Sequence, residues 1–151
     1  MIDRTIYMLF RSQKISESAI QAIETELSTT PQTLLYFDIC TEQSVRLIRA
    51  LFDCHLLDSC CYLHESAEIS DKESNLLSQA IPNRSALYDC CCADFGKTSY
   101  MRQRRHKRFV EQSDYLLVIY DKPLAEINNT IRYAALLHKP VIQISLDHLH
   151  F

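Results

Sequence analysis

The sequence predicts a three-layer α/β fold, doubly wound around a mainly parallel β-sheet. Short apolar stretches with strand character alternate along the chain with amphipathic stretches of helical period. The links between them are short, which favours right-handed β-α-β crossovers with helices on both faces of the sheet. The segment Tyr115 to Tyr120 (YLLVIY) is aliphatic or aromatic throughout, as is typical of a parallel strand covered on both faces.

The first half of the chain contains three predicted strands, at residues 6–10, 33–37 and 60–63, of which the last has the weakest pattern. A helix over residues 16–28, with Ser16 as its N-cap, turns one apolar face inward: Ala19, Ile20, Ile23 and Leu27. Thr41 is expected to cap the second helix, whose buried stripe is Val45, Ile48, Leu51 and Phe52. Ser70 and Glu73 have the spacing of a capping box, which opens a third helix through Leu76, Leu77 and Ala80.

The second half repeats this alternation, with strands predicted at residues 86–92, 115–120 and 140–145. A polar helix begins at Thr98 and runs to about Gln112. After a loop at residues 121–126, a last helix over residues 127–138 is expected to face inward with Ile127, Ile131, Ala134 and Ala135. No repeat, low-complexity tract or linker interrupts residues 1–151, so we predict one domain.

The composition excludes several functional classes. Hydrophobic residues make up 47% and charged residues 23% of the chain, which is ordinary for a globular protein. A net charge of -3 gives no overall attraction to nucleic acid or to an anionic membrane. No apolar run approaches the ~20 residues that span a bilayer, and no signal-peptide pattern follows Met1. We therefore expect a cytoplasmic protein without membrane contact.

The seven cysteines fall mostly into two contiguous clusters, at residues 60–61 and 90–92. Disulfide scaffolds space their cysteines, so we expect reduced thiols in a reducing compartment. Neighbouring cysteines of a strand point to opposite faces, which prevents Cys60 and Cys61 from sharing one metal ion. We expect no metal site, and we place His148 and His150 in a mobile tail.

Glycine is almost missing from the chain. Average usage would give about ten glycines, and the sequence has one, Gly96. Glycine is the usual residue where a backbone must approach a ligand closely or adopt a positive φ. The sequence therefore excludes a glycine-rich phosphate loop.

Ligands of an open α/β sheet bind beyond the carboxyl ends of its strands. Residues 38–41, 92–95 and 121–124 and the end of the first strand at Arg11 and Ser12 are expected to lie at that edge. They bring charged side chains there, namely Arg11, Asp38, Asp94, Asp121 and Lys122. A ligand site at this edge is therefore our structural hypothesis.

Residues 120–134 (YDKPLAEINNTIRYA) carry a resemblance to a known family. They are similar to a segment of the YpsA-like family of the SLOG superfamily, in which an apolar strand, an Asp-Gly turn and a Ser-Gly-Thr phosphate loop precede a helix with Thr-Ile-Arg-Tyr-Ala. Upstream, Arg105-His106 and residues 109–114 (FVEQSD) resemble the family's Arg-Asn and Met-Val-Asp-x-Ser-Asp elements. The order of strands and helices matches that of the family from Thr5 onward. In the N-terminal half only this order matches, without a sequence motif. The resemblance implies a Rossmann-like domain with a nucleotide cleft.

The chain departs from the family where a nucleotide would bind. The family's glycine-rich loop after the second strand is replaced by residues 36–43 (YFDICTEQ), and its Ser-Gly-Thr by Ala125-Glu126-Ile127. Its Asp-Gly turn is Asp121-Lys122 here, and its Arg-Asn is Arg105-His106. Glu126 places a negative charge where a helix N-terminus would otherwise favour phosphate. We expect Glu126 to occupy the free N–H donors of that first helical turn itself.

A basic stretch at residues 102–108 (RQRRHKR) is a candidate nucleic-acid surface. Arg104, Lys107 and Arg108 share one helical face, but only Tyr100 and Phe109 offer stacking surface nearby. A solvated helix face is the better interpretation. The resemblance implies instead that Arg105 points into the cleft as an anion ligand.

Two functional hypotheses follow. The preferred one is a diverged, non-catalytic binding or protein-interaction module whose degenerate cleft has no cofactor and no catalytic residue. The alternative is a binder of a nucleotide or ADP-ribose-type ligand, or a nucleotide N-glycosidic hydrolase similar to the phosphoribohydrolase branch of SLOG proteins. A nucleotide-like small molecule and a second copy of the chain stay open as partners. The ligand-binding candidates are Asp38, Thr41, Arg105, Asp121, Glu126, Asn129 and Thr130.

Overall fold

The computed structural model describes residues 2–28 and 32–146. Strands and helices alternate through this part of the chain, with two short 3₁₀ turns at Arg84–Ala86 and Ala93–Phe95. The strands are β1 (Arg4–Arg11), β2 (Thr33–Phe37), β3 (Leu57–His64), β4 (Leu87–Cys91), β5 (Tyr115–Tyr120) and β6 (Val141–Ser145). The helices are α1 (Glu17–Leu27), α2 (Glu42–Asp53), α3 (Asp71–Ala80), α4 (Ser99–Gln112) and α5 (Ala125–Leu136).

All six strands form one parallel sheet in the order β4-β3-β2-β1-β5-β6. The predicted three-layer, Rossmann-like α/β fold is therefore confirmed. So is the interior position of the YLLVIY strand β5, which pairs with β1 on one side and β6 on the other. Four of its side chains have no exposed surface: Leu116, Leu117, Val118 and Ile119.

The side chains of β1 point alternately to the two faces of the sheet, and the core is divided in this way into two layers. Ile6, Met8 and Phe10 pack with α1, α2 and α3, whereas Tyr7 and Leu9 pack with α4 and α5. Each of the first four helices begins with a side-chain cap that satisfies an otherwise unpaired backbone N–H group. These caps are Ser16, Thr41, Ser70 and Thr98.

The sheet order places a crevice at the centre of the carboxyl edge. Strands β2, β3 and β4 lie in succession on one side of β1. Helix α4 then leads the chain back to the other side of β1, where β5 begins. The helices that follow β1 and β5 lie on opposite faces of the sheet. The loops that lead from β1 and β5 into these helices therefore leave the sheet in opposite directions. The space between such loops is where α/β proteins bind ligands.

Several element boundaries differ from the sequence prediction. α5 begins at Ala125 and ends at Leu136, so Glu126 is helical rather than part of a loop. Ala135, which the sequence pattern places on the inward face of this helix, is exposed, and Thr130 is buried instead. The buried face of α5 is therefore rotated by one position from the predicted one, because α5 packs against α4. β3 is eight residues long, since it pairs with strands on both sides.

No helix within the described ranges has the length and apolar character that crossing a membrane requires. His148 and His150 lie outside the described residues.

Candidate functional site

Arg11 and Asp38 form the centre of a charged network at the carboxyl edge of the sheet. Arg11 is the last residue of β1, and Asp38 follows β2 directly, so the parallel pairing of these strands places the two side chains together. The guanidinium donates to both carboxylate oxygens, with Nη1–Oδ1 at 2.9 Å and Nη2–Oδ2 at 2.8 Å. This bidentate geometry is the strongest form of an arginine–carboxylate pair.

Arg105 extends the network on one side. It lies on the inward face of α4, is 3% exposed, and donates from Nη2 to Asp38 Oδ2 at 2.8 Å. Its Nη1 donates to Glu65 Oε1 at 2.7 Å, and Arg102, one turn earlier on α4, also donates to Glu65. Asp38 and Glu65 are thus each held between two arginines.

Glu126 extends the network on the other side. Its Oε1 accepts from Arg11 Nε at 2.7 Å, and its Oε2 lies 2.7 Å from His106 Nε2. The other ring nitrogen of His106, Nδ1, lies 2.7 Å from the hydroxyl of Tyr7. His106 and Tyr7 have no exposed surface, so this arm runs from the crevice into the core.

The electrostatics of the network favour the ionised forms of Glu65 and Glu126. Hydrogen bonds from Arg102 and Arg105 lower the pKa of Glu65 to about 2. Burial opposes ionisation of Glu126, but hydrogen bonds from His106 and Arg11 outweigh it and hold its pKa well below the ordinary value. Burial likewise opposes the charge of Arg11, and the neighbouring carboxylates of Asp38 and Glu126 raise its pKa despite that. Ionisation here is favoured by tethered partners.

A cavity of about 390 Å³ lies beside the network. Three arginines and four carboxylates line it, together with the aromatic pair of Tyr62 and His64. The lining residues are Arg11, Asp38, Ile39, Tyr62, His64, Glu65, Ser66, Glu73, Arg102, Arg105 and Glu126. This is the volume of a small-molecule site.

The far wall of the cavity is built from β3 and the start of α3. The hydroxyl of Tyr62 donates to Glu73 Oε2, and Glu73 Oε1 accepts from the backbone N–H of Ser70 at 3.1 Å. The hydrogen bond from Tyr62 lowers the pKa of Glu73. The capping box that the sequence predicts at this helix therefore also fixes a carboxylate at the cavity wall.

The predicted site residues separate into three groups: those in the network, one in an adjoining groove, and three elsewhere. Asp38, Arg105 and Glu126 meet in the network. Asn129 lies in an adjoining groove between the first turns of α4 and α5, which it shares with Arg102 and Glu126.

Three other predicted residues do not enter the cavity. Thr41 caps α2, where its hydroxyl oxygen accepts from the N–H of Ser44 at 3.2 Å. Asp121 lies 3.3 Å from the Ser12 hydroxyl on the opposite side of Arg11. Thr130 is buried within α5, and its hydroxyl donates to the backbone carbonyl of Glu126 at 2.7 Å.

One expectation about Glu126 is wrong in its geometry. Its carboxylate bonds Arg11 and His106 rather than the backbone N–H groups of its own helix. The physical reason is charge, because the guanidinium of Arg11 carries a full positive charge in a partly buried site, whereas a backbone N–H group carries only a partial one. The crevice therefore holds a tethered anion, as predicted, but on different donors.

Several participants in the site were not predicted from the sequence. His64 ends β3 and Glu65 follows it, so their position directly after the predicted strand at residues 60–63 was the signal that could have placed them at the edge. Tyr7 carries the one hydroxyl in the apolar middle of β1, residues 6–10, which is a weak signal. The neighbour of Arg105, His106, is buried because it lies on the same inward face of α4.

The cysteines contribute neither a disulfide nor a metal site at this edge of the sheet, within the described residues. All seven are free thiols. Within the part of the chain that the structure describes, no group of three or more His, Cys, Asp or Glu side chains could hold a metal ion. Burial raises the pKa values of Cys61 and Cys92 to about 12, which keeps these thiols protonated and unreactive.

No protein-family model matches the chain, and neither a curated protein nor a solved structure matches it. The chemistry of the site therefore has to follow from its own geometry. Paired acid–base catalysis needs two titratable groups whose environments push their pKa values apart. Glu65, Glu73 and Glu126 are all shifted in one direction, toward the ionised form, which suits recognition better than proton transfer.

Proposed function

We propose that this domain is a non-catalytic binding or protein-interaction module, a diverged relative of the YpsA-like SLOG proteins. The observation that carries the proposal is the pairing of Glu126 with Arg11 and His106. The guanidinium of Arg11 and the Nε2–H group of His106 would be the natural partners of a nucleotide phosphate in the crevice. A carboxylate of the protein occupies them instead.

The energetics favour the tethered carboxylate over phosphate. A phosphate group would have to displace Glu126 from Arg11 and leave that carboxylate partly desolvated without the hydrogen bonds from Arg11 and His106. Burying an uncompensated charge costs several kcal/mol, and the second cation of the centre, Arg105, is already held by Asp38 and Glu65. The loss of both glycine-bearing loops of the family supports the same conclusion, because no bare backbone remains to approach the phosphate.

Calorimetric titration tests this proposal. We expect no heat of binding for ATP, AMP or NAD at submillimolar concentration with the wild-type protein. Tight binding of any of them would contradict the proposal, since it would mean that nucleotides bind despite the ion pairs and without phosphate-loop glycines.

A variant that removes the tethered anion sharpens the test. Replacing Ala125-Glu126-Ile127 by Ser-Gly-Thr restores the family's motif, but Ile127 is buried, so Glu126→Gly alone is the cleaner variant. We expect it to gain measurable affinity for AMP, because Arg11 and His106 are then free. Asn128→Ser, on the exposed side of the same helix, is the matched control and should gain none.

The second candidate is a binder of an ADP-ribose-type ligand or an N-glycosidic hydrolase. The cavity of about 390 Å³ with ionised carboxylates on its wall supports it. Titration with ADP-ribose, and chromatography for a base released from AMP, distinguish it from the preferred function. Release of base that Glu65→Gln and Glu126→Gln abolish would favour the hydrolase.

A further inference from the structure

The cavity has an acidic pole at Glu73. Of the four carboxylates on its wall, Asp38, Glu65 and Glu126 are each paired with arginine. Glu73 has no arginine or lysine partner among residues 2–28 and 32–146; its hydrogen bonds come from Tyr62 and the Ser70 backbone. Each of these neutral donors leaves one lone pair of a carboxylate oxygen unused. This pole therefore has a negative charge and open acceptor positions.

The cavity has a basic pole at Arg102. Its Nε and Nη2 donate to Glu65 at 2.9 and 3.1 Å. Its Nη1 donates to no acceptor within the described ranges, and the side chain is 44% exposed. A guanidinium has five N–H donors, so three of them remain for a ligand that enters from solvent.

We infer that this cavity binds a small zwitterion of the amino-acid class, with its ammonium against Glu73 and its carboxylate on Arg102. The inference rests on the proposed function, because it names a ligand for the binding module. Arginine recognises carboxylates through its planar fork of donors, and an ammonium group has three donors for carboxylate and hydroxyl oxygens. A ligand with both charges matches the two poles together.

Competing ligand classes fit less well. The wall has one more carboxylate than it has arginines, so a phosphate dianion would meet excess negative charge. A simple amine would leave the free donors of Arg102 unused, and a simple carboxylate would leave Glu73 uncompensated. The wall also includes Ile39 and the stacked rings of Tyr62 and His64, which offer surface to an apolar side chain.

Thermal-shift screening followed by calorimetry tests the inference with free amino acids as probes. The half-ligands n-butylamine and butyrate, inorganic phosphate and AMP complete the panel. We expect at least one amino acid to bind, with affinity at least tenfold higher than that of either half-ligand. If no amino acid binds, or if a half-ligand binds equally well, the inference is overturned.

Two charge-removing variants locate the site. Glu73→Gln keeps the side-chain length and the capping-box hydrogen bond, and Arg102→Gln removes the basic pole from a partly exposed position. Each should weaken amino-acid binding at least tenfold, with a melting temperature near that of the wild type. Arg104→Gln, on the exposed face of the same helix, is the control and should not change affinity. Binding that both cavity variants leave unchanged would place the amino acid elsewhere and refute the assignment.

The screen also separates failure of this inference from failure of the proposed function. Binding of AMP at submillimolar concentration would contradict the proposed function whatever the amino acids do. Absence of binding by both AMP and the amino acids would overturn the zwitterion site alone and leave a protein-interaction module.

Discussion

The hydroxyl of Tyr7 lies 2.7 Å from Nδ1 of His106, and both side chains are fully buried. The ionised carboxylate of Glu126 accepts a hydrogen bond from the Nε2–H group of His106, and we assign Nδ1 of the same ring as the acceptor of the Tyr7 hydroxyl. Burial raises the pKa of Tyr7, which keeps its hydroxyl protonated as a donor. The arrangement links the core of the sheet to the crevice.

Tyr7→Phe tests this link. The substitution leaves Nδ1 of His106 without its donor in a site that water does not reach, and such a group costs about 1–3 kcal/mol of unfolding free energy. Urea denaturation should show a loss of that size. Tyr88→Phe, at a position 55% exposed, is the control and should change stability by less than about 0.5 kcal/mol. Equal effects of the two variants would contradict the role of the Tyr7 hydroxyl.

Glu126→Ala should destabilise the protein and make its stability depend on small anions. Arg11, with its side chain 11% exposed, and His106 would lose a shared partner. Breaking a buried pair costs about 3–5 kcal/mol, and we expect about 2 kcal/mol here because Glu126 is partly exposed. Formate should recover part of the loss in the variant and none in the wild type, as measured by melting temperature.

The matched control for that experiment is Glu17→Ala. Its pair with Arg46 lies on the surface, with the two side chains 75% and 46% exposed. Exposed pairs contribute about 0–1 kcal/mol, so this variant should stay close to the wild type. Formate rescue of both variants would point to a general salt effect.

Acid should destabilise the protein through the network. The pKa of Glu65 falls from an ordinary value of 4.5 to about 2 on folding, and that of Glu126 is also lowered. A lowered pKa stabilises the folded state above the unfolded value, and this stability is lost as pH falls toward the folded value. Denaturation followed from pH 6 down to pH 2 should show the loss beginning near pH 4.5.

Glu65→Gln is the control for the acid transition, because an amide does not titrate. The variant should be less stable at pH 6, and its stability should fall less steeply between pH 4.5 and 2. Parallel curves for variant and wild type would mean that other carboxylates cause the acid sensitivity.

Gly96→Ala should destabilise the protein at its single glycine. Gly96 follows a 3₁₀ turn with φ 82° and ψ −178°, a conformation that residues with a Cβ atom adopt only with strain. An added Cβ would also lie 3.2 Å from Cγ of Met101. We expect a loss of about 1–3 kcal/mol in urea denaturation. Ala67→Ser in an exposed loop should cost far less.

Thiol titration should separate the cysteines by burial. The native protein should react fast at exposed Cys54 and Cys91 and slowly at buried Cys60 and Cys92, because the thiolate is the nucleophile and burial suppresses it. After denaturation without reductant, close to seven groups should react. A total two short would reveal a disulfide, and stoichiometric zinc would contradict the expectation of no metal.

The sequence alone determined the succession of strands and helices. Hydrophobic period and helix caps are local properties, so the first four helices begin at the caps that residues such as Ser16 and Ser70 predict. It also determined that Asp38 lies at the edge where the sheet binds ligands, because a residue that directly follows a parallel strand has no other place. The scarcity of glycine by itself excluded a glycine-rich phosphate loop, since composition does not depend on how the chain folds.

Only the tertiary structure decided which charges meet. Arg105 lies 67 positions from Asp38, and His106 lies 99 from Tyr7, and no local pattern connects residues so far apart. The strand order brings β1, β2 and β3 side by side, and the packing of α4 then turns Arg105 inward while Arg104 faces solvent. Glu126 pairs with Arg11 and His106 rather than with its own helix because, in a partly desolvated crevice, the full charge of the guanidinium attracts a carboxylate more strongly than the partial charge of a backbone N–H group does.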